Sequence, residues 1–366
     1  MNKIRVAIIF GGKSAEHEVS LQSAKNIIEA IDREKYEIVL IGIDKDGRWF
    51  LNEDSGFLLN TSNPKLIHLN KSENEIAIIP GGKSNQLINI SNNELLDKID
   101  IAFPVLHGPF GEDGTIQGLL KLANIPFVGA DVIGSAVGMD KDVMKRLLRD
   151  KGIPISKFIA YTRDYISDIK FDEIKEKLGM PVFIKPANLG SSVGISKVNN
   201  EDELKKAIEL AFEFDNKIIV EEFIKGREIE CSVLGNNKPI ASQPGEVLPI
   251  KDFYSYEAKY IDEKGAALQI PAKLSKDKAD KIQCYAIDTF KTLCCKGMAR
   301  VDFFLNDNEE IIVNEINTIP GFTRISMYPK LWEISGISYP NLIDKLIMLA
   351  LERYEEQKKL KVSINF

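Results

Sequence analysis

Cysteine, histidine and long apolar runs are all scarce in this 366-residue chain. The four cysteines, Cys231, Cys284, Cys294 and Cys295, show no metal-ligand spacing, and adjacent cysteines are poor disulfide partners for each other. We therefore expect unpaired thiols in a reducing cytoplasm. No run approaches the roughly 18 apolar residues of a membrane-spanning helix, and the apolar run near the N-terminus is too short for a signal peptide. A membrane partner is therefore not expected.

An excess of positive charge is also missing. The net charge is −6, which argues against a nucleic-acid partner because such domains usually present a basic patch. An apolar content of 44% and a charged content of 28% are typical of a soluble globular protein. The length predicts two or three domains.

The order of strand and helix patterns predicts an α/β (α+β) fold. A strand at 4–10, a helix at 18–31 and a strand at 36–43 form a βαβ unit, which predicts a Rossmann-like parallel sheet. Further helices are predicted at 115–123, 140–151, 202–213, 275–295 and 340–358. The proposed domains are 1–128, 129–221 and 222–366. Residues 244–262 combine prolines, aromatics and charges, which favours an ordered lid over a site rather than a surface loop.

The strongest chemical signal lies in two strands near the C-terminus, at 298–305 and 309–317. Asp307 and Asn308 between them both tolerate a positive φ, so a tight hairpin is predicted. A two-residue loop pairs Asn306 with Glu309, Asp302 with Val313 and Arg300 with Glu315.

One face of this hairpin then carries Arg300, Asp302, Glu315 and Asn317, because side chains alternate along a strand. Three oxygen ligands and a guanidinium suit Mg²⁺ and a phosphate chain. The alternative is a solvated face with a cross-strand ion pair. Val, Ile and Phe fill the rest of both strands, which indicates burial and favours the metal site.

Two lysines are candidates for binding phosphate. Lys185 ends a predicted buried strand and is followed by a loop of small residues up to Gly194, whose N–H groups could approach phosphate oxygens. The lysine precedes the glycines, so this is not a Walker loop, and an ordinary hairpin turn is equally compatible with the pattern. Lys141 opens a helix, where a solvated lysine is the alternative.

Carboxylates stand at the ends of two other strands. Glu221 and Glu228 flank a glycine turn and could hold an adenine amino group and ribose hydroxyls, although a charged strand edge is the alternative. Glu16 follows a strand and two glycines, where α/β sheets bind ligands, and could take a substrate ammonium. His107 also follows a strand; a lone histidine is usually structural, but its loop to Gly114 is unusually rich in glycine.

Taken in order, these stretches resemble the ATP-grasp superfamily and, within it, the D-alanine–D-alanine ligases. The matching motifs span nearly the whole chain: Gly11-Gly-Lys-Ser-Ala-Glu-His-Glu-Val-Ser, His107-Gly-Pro-Phe-Gly-Glu-Asp-Gly, Gly138-Met-Asp-Lys, Lys185-Pro-Ala-Asn-Leu-Gly-Ser-Ser-Val-Gly, Tyr254-Ser-Tyr-Glu-Ala-Lys-Tyr, Ala299-Arg-Val-Asp-Phe and Asn314-Glu-Ile-Asn-Thr-Ile-Pro-Gly-Phe-Thr. The resemblance implies a three-domain ATP-grasp fold. It also implies a reaction in which one D-alanine carboxylate is phosphorylated by ATP and is then attacked by the amine of a second D-alanine.

The resemblance also implies a role for each candidate residue. ATP phosphates would be held by Lys141 and Lys185, adenine and ribose by Glu221 and Glu228, and two Mg²⁺ (or Mn²⁺) ions by Asp302, Glu315 and Asn317. The first D-alanine would bind Glu16, supported by His107, and the carboxylate of the second would bind Ser326. Arg300 and the Gly321 N–H would form the oxyanion hole. Tyr256 and Lys259 would close over the phosphates, and Tyr260 would hydrogen-bond Ser191 and Glu16 to lock the lid.

The lid also bears on the choice of acceptor. Relatives that make D-alanyl-D-lactate replace the lid sequence, and those that make D-alanyl-D-serine tend to carry phenylalanine where Tyr256 stands. Both lid tyrosines are present here, so we expect D-alanine at both sites, for peptidoglycan precursor synthesis, with a D-serine or D-lactate acceptor as the alternative. A non-catalytic nucleotide-binding regulator should have lost metal ligands or phosphate lysines, and all are present. The family implies a homodimer.

Overall fold

The computed structural model describes residues 3–53, 56–60, 66–82, 86–249, 266–323 and 325–361. Three sheets drawn from successive stretches of the chain form its framework, which confirms the α/β class. Within the described part of the chain, no helix combines the length and the apolar character needed to cross a bilayer.

The first sheet is mixed rather than wholly parallel. The strands at this end of the chain are β1 (Ile4–Gly11), β2 (Tyr36–Ile43), β3 (Trp49–Asn52), β4 (Leu58–Leu59), β5 (His68–Leu69), β6 (Glu75–Ile78), β7 (Leu87–Asn89) and β8 (Ile101–Pro104). The sheet order is β7-β6-β3-β2-β1-β8, and β4 pairs with β5. β1, β2 and β8 are parallel as predicted, whereas β3, β6 and β7 are antiparallel. A short turn joins β2 to β3, and parallel pairing would need a longer crossover.

Helices α1 (His17–Ala30) and α2 (Thr115–Leu122) follow strands of this sheet. β1 is buried along Val6–Phe10, as expected of a strand covered on both faces. α1 buries Leu21, Ala24 and Ile28, which recur at helical spacing and face the core.

The second sheet is antiparallel, in the order β11-β10-β12-β9. Its strands are β9 (Phe158–Thr162), β10 (Val182–Pro186), β11 (Ser196–Val198) and β12 (Lys217–Glu222). The helices in this part of the chain are α3 (Val132–Met139), α4 (Lys141–Asp150), α5 (Phe171–Leu178) and α6 (Glu201–Phe214), with a 3₁₀ helix at Arg163–Asp168.

The third sheet has the order β16-β15-β13-β17-β18, with β14 paired to β13. Its strands are β13 (Gly226–Gly235), β14 (Ile240–Ala241), β15 (Gly245–Pro249), β16 (Ala266–Gln269), β17 (Gly297–Asn306) and β18 (Ile311–Asn317). The remaining helices of the described residues are α7 (Lys276–Thr292), α8 (Met327–Ile334) and α9 (Tyr339–Lys358).

The sheets follow one another along the chain in a way that fits the division at residues 128 and 221, although β12 extends one residue past the second boundary. The division remains a proposal, because one core cluster joins the first sheet to the end of the chain. Val6 and Ile8 of β1 belong to the same buried cluster as Leu342 and Leu346 of α9.

Candidate active site

The β17–β18 hairpin has the predicted polar face, but its loop and its strand pairing differ from the prediction. Its loop has three residues rather than two: Glu309 adopts a left-handed φ of 62°, and the Asn306 N–H donates to the Glu310 carbonyl. Further along, an irregularity beside Asp302 shifts the register by one residue. A one-residue slip turns side chains to the opposite face of a sheet, so the longer loop and the bulge cancel each other.

The predicted pairs are therefore wrong, while the predicted face is confirmed. The observed pairs are Arg300–Asn317, Asp302–Glu315, Phe303–Val313 and Leu305–Ile311. Asn314 is the extra residue of the bulge. Arg300, Asp302, Glu315 and Asn317 share one face, with Asp302 directly opposite Glu315 rather than on a diagonal.

Arg300 is held between two carboxylates. Its Nε and Nη2 lie 2.7 Å from Oδ1 and Oδ2 of Asp302, a bidentate contact. Its Nε also lies 2.8 Å from Oε2 of Glu230 on β13. Asn317 Nδ2 donates to Asp302 Oδ2 at 3.1 Å. These contacts fix the planar guanidinium over the sheet face.

Asp302, Glu315 and Asn317 fit a hard cation. They offer two carboxylates and one amide oxygen, and Mg²⁺ prefers such oxygen donors together with water and substrate phosphate. Among the residues that the structure describes, no three or more His, Cys, Asp and Glu side chains form a metal-binding group. A metal here would therefore need the amide and substrate oxygens. The Lys141 ammonium lies 3.5 Å from Glu315 Oε2. A side chain that can bind phosphate therefore lies beside the same hairpin face.

Lys141 is buried, so the solvated alternative is wrong. Its N–H donates to the Ala187 carbonyl at 2.9 Å, and its Nζ donates to the Leu189 carbonyl at 2.7 Å. Both acceptors lie at or after the end of β10, in the loop of small residues. Ser191 and Ser192 of this loop have φ values of 54° and 61°. The left-handed conformation turns the loop sharply and keeps it close to the lysine.

Glu221 lies between two lysines. Its Oε2 is 2.5 Å from the Lys185 ammonium, and its Oε1 is 2.6 Å from the Lys145 ammonium. Burial alone would raise the pKa of the Glu221 carboxyl, but the two ammonium groups hold it well below its usual range. Burial alone would lower the pKa of Lys185, but Glu221 raises it above its usual value.

A cavity of about 260 Å³ joins these groups. Its polar lining includes Lys141, Lys185, Glu221, Glu228 and Glu315, and its apolar lining includes Phe183, Phe223, Ile224 and Phe304. Charged groups beside aromatic walls suit a ligand with a phosphate chain and a planar base.

Glu16 lies where two glycine-rich loops meet. Its carboxylate accepts a hydrogen bond from Ser191 Oγ. Gly108 has a φ of 73°, which favours glycine, and a Cβ atom there would come within 2.6 Å of Glu16 Oε2. The Glu16 N–H donates to Ser14 Oγ, which itself donates to the His107 carbonyl. A buried carboxylate in this position can receive an ammonium.

His107 supports this region as a neutral imidazole. Its Nδ1 lies 3.0 Å from the carbonyl of Ile319, which can only accept, so Nδ1 carries the proton. Its Nε2 lies 3.3 Å from Ser23 Oγ and accepts. Burial lowers the pKa of His107 to about 4. The ring therefore anchors Ile319, while the main-chain carbonyl of His107 supports Glu16 through Ser14.

Glu112 completes the anchorage of Ile319. Its Oε1 accepts from the Ile319 N–H at 3.1 Å, and its Oε2 accepts from the Gly108 N–H at 2.8 Å. Burial, with the nearby charge of Glu16, raises the pKa of Glu112 to about 8. Both main-chain groups of Ile319 are thus bound by side chains of the loop at 107–114. Gly321, two residues further on, is positioned by the same contacts.

Ser326 precedes α8 and is linked to the same turn. Its Oγ accepts from the Thr323 N–H at 3.0 Å and lies 2.8 Å from Thr323 Oγ1. The Phe322 N–H donates to Ser23 Oγ at 3.2 Å, which ties the turn to α1. Gly321 is therefore next to a residue that α1 holds, and Ser326 is hydrogen-bonded to Thr323.

The lid residues Tyr256, Lys259 and Tyr260 lie outside the described residues, together with 250–265 as a whole. Their roles stay predictions.

Sequence reasoning missed three residues that contact the candidate site residues or the segment beside them. Lys145 lies four residues after Lys141 on the same helix face, and this spacing was a usable signal. Glu112 stands inside the glycine-rich loop that singled out His107. Glu230 has no local signal, because only the pairing of β13 with β17 places it beside Arg300.

Two family models match the chain: "D-ala D-ala ligase N-terminus" over residues 5–130 and "D-ala D-ala ligase C-terminus" over residues 147–348. A D-alanine–D-alanine ligase of Oceanobacillus iheyensis is 59% identical over 99% of both chains. D-alanine–D-alanine ligase A of Escherichia coli K12 is 54% identical over the full length of both.

The similar solved structures are also ligases by name. The D-alanine–D-alanine ligase of Coxiella burnetii has a TM-score of 0.85 and 40% identity, covering 98% of this chain and 97% of that one. The VanG D-Ala:D-Ser ligase of Enterococcus faecalis has a TM-score of 0.84 and 39% identity, covering 95% and 100%. The Bacillus anthracis D-alanine–D-alanine ligase complexed with ATP has a TM-score of 0.72 and 29% identity, covering 97% and 99%. On the strength of both family models and these full-length matches, the chain belongs to the D-alanine–D-alanine ligase family and has its ATP-grasp fold.

Proposed function

We propose that this protein is an ATP-dependent ligase that joins two D-alanines into D-alanyl-D-alanine for peptidoglycan precursor synthesis. One observation carries the proposal: Glu16 accepts a hydrogen bond from Ser191 of the loop that follows Lys185. A carboxylate able to receive an amino-acid ammonium and a lysine loop able to hold phosphate therefore share one site. The relatives from Oceanobacillus iheyensis and Escherichia coli K12, which share 59% and 54% of their residues with this chain, are ligases by name and support the same activity.

In the first step, a carboxylate oxygen of the first D-alanine attacks the γ-phosphorus of ATP, and ADP leaves. Lys141 and Lys185 would hold the phosphates, Glu221 and Glu228 would bind adenine and ribose, and Tyr256 and Lys259 would close over them. Two Mg²⁺ or Mn²⁺ ions, bound by Asp302, Glu315 and Asn317, would neutralise phosphate charge when present. Glu16 would orient the substrate through its ammonium, with Tyr260 locking the lid against Ser191 and Glu16.

In the second step, the amine of the second D-alanine attacks the acyl carbon, and phosphate leaves. The Arg300 guanidinium and the Gly321 N–H would stabilise the developing oxyanion. The contacts of Ile319 with His107 and Glu112, two residues before Gly321, support this assignment. Ser326 would hold the carboxylate of the second substrate.

The predicted cytoplasmic location and the homodimer belong to this proposal as well. Light scattering of the purified protein tests the dimer, since a monomer mass at micromolar concentration would contradict it. The second candidate is a ligase with a D-serine acceptor, because the chain is also similar to the VanG D-Ala:D-Ser ligase.

The first test is a coupled assay of ADP release from Mg·ATP. The substrates are D-alanine, L-alanine, and D-alanine with D-serine or D-lactate, and mass spectrometry identifies the product. We expect ADP with D-alanine alone, matched by D-alanyl-D-alanine. Mixed products formed in preference to the D-alanine dipeptide would change the acceptor, and no ADP with any amino acid would refute the ligase.

Glu16→Gln tests the ammonium site within this activity. Removing a buried charge that pairs with substrate should raise the KM for the first D-alanine by about 100-fold, or about 3 kcal/mol. Glu18→Gln is the matched control, because Glu18 lies on the same segment and contacts Lys45. Equal kinetics of the two variants would remove Glu16 from the site.

A further inference from the structure

Lys145 is a completely buried lysine to which the reaction gives no role. It belongs to α4 and is 0% exposed. Its ammonium lies 2.6 Å from Glu221 Oε1 and donates to Ser156 Oγ at 3.0 Å. Burying an ammonium group is costly unless it is paired and hydrogen-bonded. The contacts with Glu221 and Ser156 therefore offset the cost of burying the Lys145 charge.

Lys145, Ser156 and Lys185 all contact the Glu221 carboxylate and form a network of ion pairs and hydrogen bonds. Ser156 accepts from Lys145 and donates to Glu221 Oε1 at 3.0 Å, while Lys185 contacts Oε2. Burial lowers the pKa of the Lys145 ammonium, and the Glu221 charge opposes this effect. Two cations next to a single buried carboxylate keep that carboxylate ionised, and an ionised carboxylate can only accept hydrogen bonds.

Lys145 acts on this carboxylate from behind the cavity wall. Ser156, Lys185 and Glu221 line the cavity, and Lys145 reaches the first and the last of them from the α4 side. Glu221 pairs across the sheet with Phe183, another lining residue. An acceptor beside an aromatic wall suits the edge of a planar base that carries an amino group.

We propose that Lys145 is a positioning residue that holds Glu221 as an ionised, acceptor-only carboxylate in the cavity wall, so that the site selects a purine with an amino group at C6 over a purine with a carbonyl at C6. This inference rests on the proposed binding of ATP in the cavity. Adenine offers an amino donor at the position where guanine offers a carbonyl acceptor. A carboxylate satisfies the first and repels the second.

The test compares ATP with GTP in the full chain. Equilibrium binding by calorimetry, in the presence of Mg²⁺ and without D-alanine, gives a dissociation constant for each nucleotide. We expect the unchanged protein to prefer ATP by about 100-fold or more. Lys145→Met keeps much of the side-chain volume without the charge. It should lower that preference about tenfold, chiefly through weaker ATP binding, with kcat at saturating ATP changed by no more than about threefold.

Two further variants make the result specific. Ser156→Ala disturbs the same contact from the other side and should lower the ATP preference about threefold. Arg149→Met is the matched control, because Arg149 lies exposed on the same helix and its loss changes charge equally. It should leave the preference unchanged.

An unchanged ATP-to-GTP ratio in folded Lys145→Met would overturn the proposal, even if its melting temperature fell, because a purely structural lysine predicts that result. If Lys145→Met does not fold, Ser156→Ala decides in the same way. Absence of ADP release with D-alanine would refute the ligase but leave the binding ratio measurable, so the two failures can be told apart.

Discussion

At the scale of single residues, His107 shows what burial does to a site. Its imidazole is buried, which lowers its pKa to about 4, and it binds the Ile319 carbonyl and Ser23. In the unfolded chain His107 has an ordinary histidine pKa near 6.5, so it binds a proton at pH values where the folded protein keeps the ring neutral. Unfolding therefore gains a proton between about pH 6.5 and pH 4, so the stability contributed by His107 is complete above this window and is lost as pH falls through it.

We expect His107→Gln to flatten the loss of stability on acidification. The shift corresponds to about 3 kcal/mol across the window, or at most about 1.4 kcal/mol per pH unit. Urea unfolding between pH 4 and 7 measures the slope. His68→Gln, at an exposed histidine, is the control and should leave the slope unchanged. Equal slopes for His107→Gln and the unchanged protein would show that this imidazole does not titrate on unfolding.

Residues were predictable from sequence where the motif itself carries the chemistry. Glu16 follows β1, Lys185 lies near the end of β10 and Asp302 lies in β17, as the sequence predicts. The spacing from Lys141 places Lys145 on the same helix face, but it does not predict that Lys145 is buried. A lysine on an amphipathic helix usually faces water, and its partners Glu221 and Ser156 come from other parts of the chain.

At the scale of elements, long periodic segments were predicted to within a few residues, and irregular ones were not. The loop residue Glu309 adopts a left-handed φ, which glycine or asparagine would have signalled and glutamate does not. The predicted face survived only because the bulge at Asn314 reversed the shift. Helices α3 and α8 were not among the predicted helices. α3 contains Gly134 and Gly138, and α8 contains Pro329, and both residue types have low helix propensity.

Helix α4 depends on its first turn to place Lys141. Asp140 caps the helix, accepting from the Asp142 and Val143 N–H groups at 3.1 Å, and pairs with Lys217 at 2.6 Å. Asp140→Ala should lower the free energy of unfolding by about 1–2 kcal/mol. It should also raise the KM for ATP about fivefold, equivalent to about 1 kcal/mol, because Lys141 loses its fixed position.

Asp140→Asn separates the cap from the charge, since asparagine retains the accepting oxygen. It should keep most of the stability and show an intermediate KM for ATP. Asp150→Ala, at the exposed end of the same helix, is the control for both urea unfolding and kinetics. A destabilised Asp140→Ala with an unaltered KM would mean that the cap supports the helix without positioning Lys141.

At the scale of the whole molecule, the two ends of the chain share one core. Helix α9 packs against α1 and β8, and its Leu342, Ile343, Leu346 and Ile347 are all completely buried. Arg353 of the same helix donates to the Phe127 carbonyl at 2.6 Å and to the Gly129 carbonyl. The first sheet is thus covered by a helix that the chain supplies last. A sequence pattern shows that α9 is amphipathic but not which surface it covers.

This arrangement predicts that residues 1–130 do not form an independently stable domain. Burying an aliphatic side chain contributes about 1.5–3 kcal/mol, so the four residues of α9 supply up to about 6–12 kcal/mol. That sum is comparable with the whole stability of a typical domain, about 5–15 kcal/mol. A fragment of residues 1–130 should therefore lack a cooperative urea transition and a near-ultraviolet circular dichroism signal. Adding a peptide of residues 338–361 should restore both, whereas a peptide with Leu342→Asp and Leu346→Asp should not. A fragment that unfolds cooperatively by itself, at the urea concentration of the full chain, would show that the first sheet closes its own core and that α9 is only a cover.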